Sequence, residues 1–151
     1  MLNYDCEPHK SSILDLNANV IALIAYAAAI ITIFIPGVNY ISWLVPIIIY
    51  FMEKNSEFVK FHAMQGFLLN MVGIIINLVI LFVIGGSVGM LFFTPLAYGA
   101  LGTLLIVGLV TGAVNIAITI FEIIAMVKAY QYRGYKIPMV GRFAEKIVKK
   151  I

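Results

Sequence analysis

Glu122 is the residue of this chain best placed to do chemistry. It is the first charged residue after Lys60, and the roughly sixty residues between them hold no Asp, Glu, Lys or Arg, where a membrane span needs about 20 apolar residues. A carboxyl group in such a run has two uses. It can handle a proton, an ion or a substrate, or it can pin helices together through buried hydrogen bonds. His62, Gln65 and Asn70 open the run, and Asn115 and Thr119 precede Glu122 on its own helical face. If the two segments form antiparallel helices, Glu122 comes level with Gly66, and a polar cluster of His62, Gln65, Asn70, Asn115, Thr119 and Glu122 is expected.

Other chemistry is thinly represented. Cys6-Glu-Pro-His9 offers two soft-metal ligands on a tail expected to be mobile, short of the four a closed zinc site takes. Gly85-Gly-Ser-Val-Gly89 lacks the Gly-Lys-Ser/Thr ending of a phosphate loop. No Ser/His/Asp set, zinc motif or paired carboxylate is visible. The sequence therefore predicts no enzyme, no catalytic, cofactor or metal site, and no cofactor. Cys6 is the single cysteine, which excludes an intrachain disulfide.

The elements that position these residues are membrane helices. Of 151 residues, 63% are hydrophobic and 11% charged, against roughly half and a quarter in soluble domains. The expected fold class is all-α: a polytopic membrane helical bundle of four transmembrane helices with a C-terminal amphipathic interfacial helix. An N-tail (1–18) precedes a membrane domain (19–130) with spans at about 19–35, 38–52, 56–84 and 96–130, and a basic segment (131–151) follows. Asp15, Asn17 and Asn19 offer caps to the first span, and Pro36-Gly37 ends it. Pro46 lies inside the second and predicts a kink or a partial span. Ser56 caps the third with Glu57 in its first turn, and Gly85-Gly86-Ser87 is expected to break it, leaving 85–95 as a connector. The first twenty residues carry Asp5, Glu7 and Asp15 where a signal peptide would have a basic region, so the first span is expected to act as its own insertion signal.

Charge sets the orientation. Lys128, Arg133, Lys136, Arg142, Lys146, Lys149 and Lys150 follow the last span, Lys54 and Lys60 lie between spans two and three, and the connections around Gly37 and Gly89 are uncharged. The positive-inside rule predicts a cytoplasmic-membrane protein with both termini cytoplasmic.

Two stripes recur at a period near 3.5 residues. His62, Gly66, Asn70, Gly73 and Asn77 mark one face of span three; Gly108, Gly112, Asn115, Thr119 and Glu122 mark one face of span four. Small residues let helices approach and amides bond across the interface, so one reading is that the stripes pack together. The other is a polar pathway. In the tail, Val140, Phe143, Ile147 and Ile151 share one face, and Arg142, Lys146, Lys149 and Lys150 are expected to contact anionic lipid headgroups. The tail is too small for nucleic acid. Four helices fill their own interior, so a conducting pore would require a homo-oligomer or a membrane-protein partner.

Two segments carry a family resemblance. Phe58-Val-Lys-Phe-His-Ala-Met-Gln65 opens span three, and Lys128-Ala-Tyr-Gln-Tyr-Arg-Gly-Tyr-Lys-Ile-Pro138 precedes the short basic helix; Leu23-Ile-Ala-Tyr26 also fits. Together they resemble small bacterial and archaeal membrane proteins related to the chloroplast inner-envelope Tic import component. The resemblance covers about residues 20 to 150 and implies four helices with both termini on one side. It also implies a scaffold or accessory role in peptide or protein translocation. The chain departs from the plant pattern in lacking a Ser/Arg-rich transit peptide and in carrying Gly66 where Ala commonly follows the Gln. The alternative from the residues is a small proton- or ion-coupled carrier using Glu122 and the His62 region.

Overall fold

A computed structural model describes residues 5–32, 41–91 and 97–149. Its described helices are α1 (Ala18–Thr32), α2 (Leu44–Met52), α3 (Glu57–Leu91), α4 (Ala97–Tyr130) and α5 (Val140–Val148). Two helices contain stretches long and apolar enough to cross a membrane: Glu57–Val83 of α3 and Leu104–Tyr130 of α4, 27 residues each. Protein buries 11% of the most apolar window in α3 and none of that in α4. Helices of this composition in a soluble core would be covered, so their exposed Ile, Leu and Val side chains call for lipid. Of the remaining three, α1 and α2 are shorter over the described residues. The 15 residues of α1 and 9 of α2 reach about 22 and 14 Å, against a hydrocarbon core of about 30 Å.

Three sequence expectations change. First, α3 does not break at Gly85-Gly86-Ser87 but continues to Leu91. Glycine costs roughly 1 kcal/mol in a helix, whereas a broken turn in hydrocarbon strands backbone groups at several kcal/mol each. The expected connector is therefore helix up to residue 91, and residues 92–96 lie outside those described. Second, Pro46 makes no kink, because α2 begins at Leu44. That puts Pro46 in the first turn, where its missing N–H is not needed. Third, residues 5–17 are a folded element rather than a mobile tail. They double back through a bridge between Lys10 and Asn17. The stop expected at Pro36-Gly37 lies outside the described residues.

The chain divides into two compact units. The first comprises the described residues of Met1–Met71 and Thr119–Ile151, the second those of Val72–Ile118. In the first, α1 packs against α2 and presents a buried stripe of Ala18, Ala22, Ala25 and Ala29. At Gly66 an added Cβ would lie 3.1 Å from the Ala25 carbonyl oxygen and 3.5 Å from the Tyr26 ring. Gly66 thus serves a close approach to α1, not the expected one to α4. Ala125 and Ala129 supply the small buried face of α4.

In the second unit α3 and α4 meet at Gly73, where an added Cβ would come within 3.3 Å of Ile118 Cδ1. They are fastened by a reciprocal amide pair. Asn77 Nδ2 donates to Asn115 Oδ1 at 3.2 Å, and Asn115 Nδ2 donates back to Asn77 Oδ1 at 3.1 Å. Each amide also donates to its own helix, to Gly73 O and Thr111 O at 2.8 Å. The Gly108-x-x-x-Gly112 face does not take part: among the described residues, a Cβ at either glycine would meet nothing within 4 Å.

Candidate functional site

The polar residues of the first unit gather where α1, α3 and the chain after α4 converge. Tyr26, His62 and Gln65 have no exposed surface. The Gln65 amide settles the hydrogen-bond directions. Its Oε1 accepts the Ile137 N–H at 3.1 Å, so its Nε2 is the donor that reaches Tyr135 O at 3.1 Å and Tyr26 Oη at 3.0 Å. The Tyr26 oxygen is therefore an acceptor toward Gln65, and its proton is free for His62 Nδ1, 3.0 Å away. That leaves the ring proton of a neutral His62 on Nε2. Nε2 is buried, and the ring faces the backbone of Arg133. Phe58, Phe61 and Tyr26 pack edge-on around the imidazole, with ring centroids at 4.6, 5.2 and 5.8 Å.

Glu122 lies in the same unit and is 4% exposed. Asn70 Nδ2 reaches its Oε1 at 3.5 Å and Gly66 O at 2.9 Å. The carboxyl is thus level with Asn70, one turn along α3 from the Gly66 position expected of it. Thr119 is half-buried in this unit. Asn115 belongs instead to the second unit and its pair with Asn77.

A second polar centre was not legible in the sequence. Glu53, at the end of α2, is 2% exposed. Ser11 Oγ donates a short hydrogen bond to its Oε2. Its Oε1 accepts from Ser12 N at 3.2 Å, Ser12 Oγ at 2.8 Å, Asn55 N at 2.9 Å and Ser56 N at 3.0 Å. Burial alone would push this carboxyl up. The donors, led by Ser11, outweigh burial and hold it down at about 2. Ser56 in turn caps α3 as expected, its Oγ accepting the Val59 N–H at 3.2 Å.

The N-tail also reaches the chain beyond α4. Cys6 N donates to Tyr132 O at 3.2 Å, and Gly134 N donates to Asp5 Oδ1 at 2.6 Å. α4 ends in a Schellman turn: Arg133 N bonds Lys128 O at 2.9 Å and Tyr132 N bonds Ala129 O at 3.0 Å. Position C′, usually glycine, is Tyr132 with φ 57°. Its ring stacks on Phe58 at 5.8 Å and lies 6.0 Å from His9, which keeps a tyrosine in a left-handed conformation. His9 contacts Glu7 O at 2.9 Å and Ser56 Oγ at 2.7 Å, so both ring nitrogens are engaged. The Cys6 thiol is pushed up by burial and by Asp5, away from the thiolate that metal binding needs. Residues 5–17, 53–56 and 130–137 thus bond to one another at one end of one unit.

The short helix α5 closes this end. Gly141, Ala144 and Glu145 are its buried face. Glu145 is paired with Lys136 and with Lys149, each at 2.9 Å. Lys149, also expected to contact lipid, is 44% exposed and makes the i,i+4 pair with that carboxylate. Arg142 and Lys146 are exposed, and Lys150 lies outside the described residues.

The arrangement uses most of its buried polar groups to join chain segments. Gln65 belongs to the cluster expected from sequence, and Tyr26 could have been suspected, since it sits within a segment that carries the family resemblance. Ser11, Ser12 and Glu53 carried no periodic signal. Among the described residues no three His, Cys, Asp or Glu side chains gather as metal ligands would.

Comparison with known proteins agrees with a membrane location. Over 112 residues the chain is 30% identical to the UPF0132 membrane protein MJ1527 of Methanocaldococcus jannaschii, covering 72% of this chain and 63% of that protein. It is 31% identical over 99 residues to a second protein of that organism, the UPF0132 membrane protein MJ1443, covering 66% and 71%. The chain therefore spans less than two thirds of the first relative's length. No solved structure matches. These matches name neither an import component nor translocation. A family model matches residues 17–144, and with it the chain belongs to the magnetosome magnetite crystal formation protein family (MamF/MmsF), a family of small membrane proteins.

Proposed function

We propose that this protein is a non-enzymatic scaffold or accessory subunit of the cytoplasmic membrane, with four crossings and both termini cytoplasmic. The observation that carries the proposal is the use made of the buried polar groups. Gln65 bonds the backbone of Tyr135 and Ile137, and Glu53 bonds the hydroxyls of Ser11 and Ser12, all in distant segments. A carrier needs polar groups that continue across the bilayer, and from Leu78 to Ile84 α3 has none.

The topology rests on the same contacts. Residues 5–17 bond to 53–56, so α1 and α2 either both cross or both turn back. Residues 130–134 bond to the same N-tail, so α3 and α4 cross as a pair. All Lys and Arg then share the face that the positive-inside rule makes cytoplasmic. Full crossing by α1 and α2 draws on the apolar runs 19–35 and 38–52. Cysteine accessibility on a Cys6→Ser background tests this directly. Gly37→Cys should label from outside intact cells and Lys54→Cys should not. Labelling of neither would make α1 and α2 a re-entrant pair; labelling of Lys54→Cys would reverse the orientation.

The family's name ties its members to magnetite crystal formation, and the Tic resemblance points to peptide or protein translocation. A scaffold that organises partners at a membrane suits either process. The proposal involves no metal. A second reading, a proton- or ion-coupled carrier, is favoured by Glu122, a nearly buried carboxyl whose hydrogen bond from Asn70 is long at 3.5 Å. Proteoliposomes holding a pH-sensitive dye separate the two. The scaffold reading expects no proton flux above empty vesicles. Flux that Glu122→Gln abolishes while the fold survives would establish the carrier instead.

A further inference from the structure

The helix α5 has nine residues, too few to hold together alone in water. The protein holds it by one face. At Gly141 an added Cβ would lie 2.7 Å from Gln65 Oε1 and 2.9 Å from Lys136 Cα, so the helix is seated directly on Gln65. Ala144 is buried beside it, and Glu145 is neutralised by Lys136 and Lys149.

The outward side is mixed in a particular way. Met139 is 76% exposed and Phe143 58% exposed, one turn apart. Arg142 and Lys146 are exposed beside them, and Lys146 Nζ lies 5.8 Å from the Phe143 ring centre. Two bare apolar side chains flanked by two cations make a poor surface for water and a good one for the boundary between lipid tails and headgroups.

Depth selects the occupant. The helix α3 has 35 residues, about 52 Å in length, roughly 20 Å more than the hydrocarbon core. Gln65 stands eight residues into α3, about 12 Å from its start. With that surplus shared between the two ends of the helix, Gln65 lies at the boundary, and α5 lies with it.

We infer that α5 is an anionic-lipid site: Met139 and Phe143 enter the upper acyl region while Arg142 and Lys146 bind the headgroup phosphate. Lys149 takes no part, because Glu145 holds it. This rests on the reading that α3 crosses the membrane.

The test uses the full chain, purified in detergent, with competing phosphatidylglycerol and phosphatidylcholine, and native mass spectrometry to count retained lipid. Wild type should prefer phosphatidylglycerol several-fold. Arg142→Gln/Lys146→Gln should bring that preference close to one, and Lys149→Gln should leave it unchanged. Met139→Ser/Phe143→Ser should weaken both lipids. Equal loss with Lys149→Gln, or retained preference in the double Gln variant, would overturn the site in favour of diffuse charge or no specificity. Excess inorganic phosphate should not displace the lipid; if it does, the site takes free phosphate and the lipid assignment fails. Alkaline carbonate extraction of membranes tests the crossing separately: release of wild-type protein would remove that premise whatever the lipid counts show.

Discussion

The two units of this protein solve the same problem with opposite materials. In the first, buried polar side chains bond to backbone that would otherwise be stranded: Gln65 to Tyr135 and Ile137, Glu53 to Ser12, Asn55 and Ser56. In the second, apolar side chains stand exposed along α3 and α4, with Val79 56% exposed and Leu109 74% exposed, and the Asn77–Asn115 pair joins the helices. Lipid tails are as apolar as leucine, so burial drives little helix association there. The difference teaches where structural specificity resides. The first unit should be sensitive to the loss of single polar atoms, and the second should tolerate most changes.

The largest effect should come from Gln65→Leu. The substitution keeps much of the volume but leaves Tyr135 C=O, Ile137 N–H and Tyr26 Oη each short of a partner. An unsatisfied buried group costs about 1–3 kcal/mol, so a total loss above about 3 kcal/mol is expected. Thermal unfolding in detergent should drop sharply, and trypsin should gain access to Arg133 and Lys136. Unchanged melting would mean that the tail is held elsewhere and that the first unit is no more demanding than the second.

Next comes Glu53. Glu53→Ala strands the Ser11, Ser12, Asn55 and Ser56 donors and should cost about 2–3 kcal/mol. The carboxyl also gives a pH signature. Its value falls from an ordinary 4.5 to about 2 in the folded protein, so the folded state binds the proton less readily than the unfolded one. Its contribution is fully present above pH 4.5 and is lost as pH falls through about 2. The stability of wild type should therefore decline across that window, and Glu53→Gln should flatten the decline.

How much of this could be read beforehand follows from the kind of signal each part leaves. The long apolar runs of α3 and α4, and the ends of α4, were legible because a membrane demands them residue by residue. So was the Ser56 cap, which is a local device. The partners of Glu53 were not, because Ser11 and Ser12 are 42 and 41 positions away and nothing periodic links them. The register of Glu122 was off by a turn, since the sequence does not say that Gly66 faces Tyr26 of α1. The supposed break at Gly85-Gly86 reflects rules learned in water, where exposed backbone finds hydrogen bonds that hydrocarbon does not supply.

In the second unit the amide pair is the sensitive point, and its effect should be smaller. Asn77→Leu leaves the Asn115 amide without its cross-helix partner. Hydrogen bonds between membrane helices average about 0.6 kcal/mol and reach about 1.7, so a loss near 1 kcal/mol is expected. Asn77→Leu/Asn115→Leu should recover part of it, since no amide is then stranded. A double-mutant cycle in detergent measures the coupling. A loss above that of Gln65→Leu would invert the ranking of the two units.

The smallest effect sharpens the comparison most, because sequence reasoning expects the reverse. Gly108-x-x-x-Gly112 reads as a close-packing motif, and on that reading Gly112→Ile would force α3 and α4 apart. In the structure a Cβ at Gly112 meets nothing within 4 Å among the described residues, while the contact between the helices falls at Gly73 against Ile118. Gly112→Ile should therefore change stability by less than about 0.5 kcal/mol, and could gain slightly as helix propensity replaces glycine. Gly73→Ile should cost clearly more, because its Cβ already sits 3.3 Å from Ile118 Cδ1 and the added methyls have no room without displacing that side chain. Melting temperatures of both variants in the same detergent, with sizes from analytical ultracentrifugation, decide the matter. If Gly112→Ile melts lower and also shifts the protein to a smaller species, a second copy covers this face. The tolerance ascribed to the second unit would then belong to the monomer alone.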